Sequence, residues 1–133
     1  MRARLEAYVD QLIAEEQYDE KESVWTFPNG DHCWICTNSA VRIAKEFKGT
    51  VWGYWGADNP IALIGWPHYE GHDFAIIQKR WLVDYWAFRI SKLSPVRVFD
   101  LRRVQERQLV KTLYGSKERW NQGDSFERRS PSR

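Results

Sequence analysis

Residues 71–88, "GHDFAIIQKRWLVDYWAF", constrain the fold more than any other part of the chain. Two apolar runs rich in β-branched and aromatic residues flank the polar pair Lys79-Arg80. Runs of this length and composition around a short polar break predict a buried β-hairpin. Helical periodicity stands on both sides of it. Leu5, Tyr8, Val9, Leu12 and Ile13 repeat on one stripe of residues 2–16, and Leu101, Val104, Leu109 and Leu113 do so over 100–114. A length of 133 residues suits one domain with one core.

Between these elements, Thr37, Ala40, Ala44 and Phe47 share a helix face, with Asp31 as a candidate cap and Gly49 where a stop belongs. Cys33 precedes that stripe by one turn and Cys36 lies close to it, so both thiols are expected at the N-terminal end of this helix. Residues 17–24 are acidic and polar and read as a loop, and Pro28, Asn29 and Gly30 form a turn into the cysteine segment. "TVWGYW" reads as a strand, "GADNP" as a turn, and residues 96–99 as a further edge strand. The domain is expected to span 1–119, and the polar segment 120–133 to be a flexible tail that the fold does not need.

Charge separates along the chain. Residues 1–32 carry three Lys/Arg against eight Asp/Glu, and residues 100–133 carry nine against five. The net charge of +2 gives no reason to expect nucleic acid. No apolar run approaches the ~20 residues of a membrane span, so no membrane partner is expected. The N-terminal stretch has no signal-like apolar block, which predicts a cytoplasmic setting. Two cysteines three residues apart are there expected to be free, metal-bound or reactive rather than disulfide-linked.

The chemistry-bearing residues fall in an informative order. A helix N-terminus carries partial positive charge and free N–H groups, which favour thiolate over thiol. Cys33 or Cys36 would sit there, His72 opens the first hairpin strand, and Asp84 lies in the second. An imidazole beside a thiol can act as base and acid. A carboxylate on its far side fixes its orientation. Geometry sets a condition. His72 and Asp84 are an even number of residues apart, so a two-residue turn at Lys79-Arg80 would place them on opposite faces. An odd-length loop or a bulge restores a common face. A different chemistry has its own spacing: Cys33-x2-Cys36 and His68-x3-His72 could hold zinc, although 31 residues separate the pairs. That would make a zinc-stabilised interaction module rather than an enzyme. Buried packing of the cysteines is the third possibility.

"CWICTNSAV" resembles the nucleophile helix of papain-like proteases and transglutaminases, and "GHDFAIIQKRWLVDYW" the short transglutaminase-type hairpin with His on one strand and Asp on the next. The order Cys, His, Asp is that of the papain-like/transglutaminase-like cysteine enzyme superfamily. The resemblance covers residues 29–88. It implies a small papain-like α+β core, a thiol helix packed on an antiparallel sheet, and no cofactor or metal. The implied activity is a peptidase, amidase or acyltransferase that attacks an amide or peptide bond, in a peptide or protein substrate, through a thioester. Cys33 matches the Cys-Trp pattern, while Ser39-Ala40-Val41 lie too far from Cys33 and one position too close to Cys36 relative to papain. Either thiol could therefore be the nucleophile, with His72 as base and acid, Asp84 as orienting group and Asn29 as the nearest amide for an oxyanion.

Overall fold

The computed structural model describes residues 1–19, 24–26, 32–33, 36–65 and 70–128; for 18–19, 24–26 and 32–33 only the backbone is described. The protein is α+β. Helix α1 (Arg2–Glu15) leads into three short strands, β1 (Gln17–Asp19), β2 (Val24–Thr26) and β3 (His32–Cys33), which form a small antiparallel sheet in that order. Helix α2 (Cys36–Glu46) follows, then β4 (Thr50–Trp55), β5 (Gly71–Ile77), β6 (Trp81–Val83) and β7 (Val98–Asp100). Helix α3 (Val104–Tyr114) and the two-residue strand β8 (Asn121–Gln122) complete the chain. The main sheet has the order β7-β6-β5-β4-β8, every neighbour antiparallel. No helix among the described residues is long and apolar enough to cross a membrane.

Both faces of this sheet are covered, which explains why β5 and β6 read as continuous apolar runs. Strand side chains alternate between faces. Ala75, Ile77, Trp81, Val83 and Val98 pack against Leu5, Val9 and Leu12 of α1 and Ile43 and Ala44 of α2. Phe74, Ile76, Leu82 and Phe99 face the other way, onto Val110, Leu113 and Tyr114 of α3 and onto Trp120.

The hairpin differs from a two-residue turn. Ile77 pairs with Trp81, so the loop is Gln78-Lys79-Arg80, with Gln78 and Lys79 at φ of 55° and 56°. An odd loop keeps His72 and Asp84 on the same face, the one carrying Phe74 and Leu82.

Three other expectations need correction. Residues 17–19 are not loop but strand β1. Cys33 is not on the thiol helix: its backbone pairs with Trp25 in a β ladder, and α2 begins at Cys36, where the buried stripe of Thr37, Ala40 and Ala44 starts. Gly49 does not provide the left-handed stop of α2. Lys48 takes that conformation (φ 54°), and Gly49 is needed because a Cβ would overlap the Ile76 carbonyl of β5.

The C-terminal segment also departs from the expected flexible tail. Trp120 is buried, β8 pairs with β4, and Arg128 forms a buried ion pair with Asp73. Polar composition concealed this, because beyond the single apolar anchor Trp120 the docking uses backbone hydrogen bonds and one charge pair rather than an apolar stripe. Residues 129–133 lie outside the described residues. Deletion of 121–133 would strip Asp73 of its cation, and breaking one side of a buried pair costs about 3–5 kcal/mol. Thermal denaturation should therefore show a melting temperature lowered by about 10 °C; an unchanged value would mean that this segment contributes nothing to the fold.

Candidate active site

Cys36 is the first residue of α2, where backbone N–H groups have no partners within the helix. Its Sγ accepts a hydrogen bond from the Asp73 backbone N–H at 3.3 Å. The β5/β6 ladder ends at Ala75 and Val83, so Asp73 has no partner on β6, and its N–H is donated to the sulfur.

His72 is the second residue of β5 and only 2% exposed. Its ring is enclosed by Tyr54, Phe74 and Tyr114, with centroid separations of 6.4, 6.0 and 5.7 Å. Nε2 lies 2.5 Å from Asp84 Oδ2. The Cys36 side chain also acts on this ring and raises its proton affinity.

Asp84 follows the last residue of β6 and is itself buried. Its Oδ1 accepts the Ala87 N–H at 2.9 Å, capping the π-helical turn Trp86–Ile90. Its Oδ2 accepts the Tyr114 hydroxyl at 2.7 Å as well as His72. The carboxylate is thus held from three directions, and its orientation follows from the fold rather than from His72 alone.

Electrostatics match this geometry. Burial pulls the His72 proton affinity down, but the Asp84 charge, the Cys36 charge and hydrogen bonds to both push it up. The net effect raises the imidazole well above its ordinary value, which favours its protonated form. Burial, then the Asp84 charge, raises Tyr114, which remains a neutral donor.

The structure therefore brings together Cys36, His72 and Asp84. The Cys33 side chain, Asn29 and His68 lie outside what is described. Among the described residues no group of three or more His, Cys, Asp or Glu is placed to hold a metal ion. Two participants had no recognisable signal. Tyr114 reads only as the last residue before Gly115, and Thr37 as one member of an apolar stripe. Asp73, adjacent to His72, could have been flagged as a carboxylate in a strand that is otherwise apolar. Compared with protein-family models, curated proteins and solved structures, the chain matches none.

Proposed function

We propose that this protein is a thiol-dependent hydrolase or acyltransferase of amide or peptide bonds, with a papain-like or transglutaminase-like core. The observation that carries the reading is the convergence on one buried ring: His72 Nε2 meets Asp84, and Cys36, at a helix N-terminus, is close enough to act on the same imidazole. A packing cysteine needs neither an imidazole nor a carboxylate behind it.

The chemistry follows from the positions. Cys36 and His72 form a thiolate–imidazolium pair. The thiolate adds to the substrate carbonyl carbon, and the carbonyl oxygen takes up negative charge. The Cys36 backbone N–H, unpaired within α2, is one donor suited to that oxygen. The C–N bond then breaks as His72 gives its proton to the leaving amine, and a thioester to Cys36 remains. In hydrolysis, water attacks the thioester and passes a proton to neutral His72. The C–S bond breaks, the acid is released, and thiolate and imidazolium are restored. In acyl transfer an amine takes the place of water. Asp84, fixed by Tyr114 and the Ala87 N–H, keeps the ring aligned and stabilises its positive charge.

The test is the reactivity of Cys36 in a Cys33→Ser background, followed by intact mass during iodoacetamide treatment. Labelling at about pH 6 should run at least about tenfold faster than for free cysteine, whose thiol is almost fully protonated there. Labelling that only matches free cysteine, or that needs denaturant, would overturn the proposed thiol chemistry.

A further inference from the structure

Arg128 reaches the site from the far end of the chain. After β8, Gly123 turns with φ of 105°, and a turn over 124–128, closed by Arg128 N–H to Asp124 O at 2.9 Å, brings Arg128 back into the protein. Its side chain is 1% exposed and pairs through Nη1 with the fully buried Asp73 Oδ1. Nη1 also donates to Gly123 O at 3.1 Å and Nη2 to Tyr54 O at 3.2 Å, while the guanidinium lies 5.2 Å from the Trp55 ring centroid. Gly53 makes the room: a Cβ there would overlap both Arg128 Nη1 and Asp73 Oδ1.

A buried ion pair is a poor device for stability alone, because desolvation of both charges offsets most of their attraction. The position of this pair suggests another use. Asp73 Oδ2 accepts from the hydroxyl of Thr37, the residue after Cys36, and from the Ser125 N–H at 3.1 Å. Thr37 Oγ1 and Ser125 Oγ are a further 3.0 Å pair. The Asp73 backbone N–H meanwhile donates to Cys36 Sγ. One residue thus grips the first turn of α2 through its carboxylate and the sulfur through its backbone.

Charge points the same way. Among the described residues, the titratable or charged groups around Cys36 are His72 and Asp73 on β5, Tyr54 on β4, Asp84 beyond β6, Tyr114 on α3, and Arg128. Both tyrosines are kept neutral, mainly by burial. Among these described groups, once the thiolate–imidazolium pair has formed, Asp73, Asp84 and Cys36 are negative and His72 and Arg128 are positive. Without Arg128, an uncompensated carboxylate would stand on the residue whose N–H touches the sulfur, and a nearby like charge disfavours the thiolate.

We infer that Arg128 is a positioning residue for the Cys36 nucleophile: it neutralises and clamps Asp73, and so keeps the thiolate populated and aimed at His72. The inference rests on the thiol-enzyme reading above.

The experiment follows the iodoacetamide rate against pH in the Cys33→Ser background, with circular dichroism to verify folding. Arg128→Gln should slow labelling about tenfold near pH 6 and shift the profile up by about one pH unit. At about pH 9.5, where the thiol is ionised in either protein, the rates should converge, which a simple displacement of the helix would not produce. Arg128→Lys keeps the charge and should stay within about threefold of the parent. If Arg128→Gln does not fold, the Asp73→Asn/Arg128→Gln double variant has no charge left to compensate, and should also label within about threefold of the parent. A folded Arg128→Gln protein with the parent profile, or a double variant tenfold slower than the parent, would overturn the role of Arg128 alone. If the parent itself labels no faster than free cysteine, the thiol-enzyme reading fails and the inference fails with it.

Discussion

Cys36→Ala should lose acyl-transfer turnover by about 10⁴-fold or more, the scale on which removal of a covalent nucleophile acts. The natural substrate need not be known to see this. An activated ester such as p-nitrophenyl acetate probes the thiol directly: acylation releases p-nitrophenol, and the acetyl group can be located by peptide mapping. Wild-type protein and Cys33→Ser should both carry acetyl on Cys36, while Cys36→Ala should carry none on its remaining cysteine, Cys33. The asymmetry comes from the fold. Cys36 opens a helix next to a buried imidazole, whereas Cys33 belongs by its backbone to a ladder with Trp25. The half-buried thiol is small, so alanine leaves little cavity and a loss of turnover cannot be ascribed to unfolding. Acetylation of Cys33 with full turnover in Cys36→Ala would transfer the nucleophile role to Cys33.

Asp84→Asn should lower turnover on the same ester by roughly 10 to 10³-fold. In serine triads the equivalent exchange costs about 10⁴, because the wrong amide group faces the imidazole. A thiol is intrinsically more nucleophilic than a hydroxyl and depends less on its base, which makes the reaction less sensitive to that loss. In this site the conflict is concrete: Asp84 Oδ2 accepts from both His72 Nε2 and the Tyr114 hydroxyl, and an amide NH₂ at that point would meet two donors. The second consequence is electrostatic. Asp84 is the leading cause that raises the His72 proton affinity, so its neutralisation should move the His72 titration to lower pH. NMR titration of the ring in wild type and variant measures the shift. Stability should follow with the same sign. A proton held more tightly by the folded chain stabilises it fully below about pH 6.5, and that contribution fades as pH rises through the raised His72 value. Asp84→Asn should flatten this dependence in denaturant unfolding. Superimposable His72 titration curves would show that the carboxylate does not act on the ring.

How much of this could be read from residues alone varied with the range of the interaction. The hairpin, α1 and α3 were legible because periods of two and of 3.6 residues are written locally in the side chains. The starting point of α2 was not. Cys33 and Cys36 fit the head of a helix equally well as isolated letters, and what separates them is pairing with β2, a strand reached only by folding back. The tail was misread for a related reason. Backbone pairing to β4 and one Arg128–Asp73 contact leave no mark on local composition.

The sequence by itself determined the class of fold, the apolar hairpin at its centre, and a short inventory of reactive groups in the order thiol, imidazole, carboxylate. Local propensity and side-chain chemistry are properties of neighbouring residues, and they survive without a fold. Only the tertiary structure decided which cysteine begins α2, because that depends on the Cys33 backbone pairing with β2. It also decided that His72 and Asp84 share a face, through the three-residue loop at Gln78-Lys79-Arg80, where one residue more or fewer would have turned them apart. Tyr114 and Arg128 join the site from 30 and 55 residues beyond the groups they hold. Contacts at that distance are selected by packing of whole elements, and no pattern within either segment encodes them.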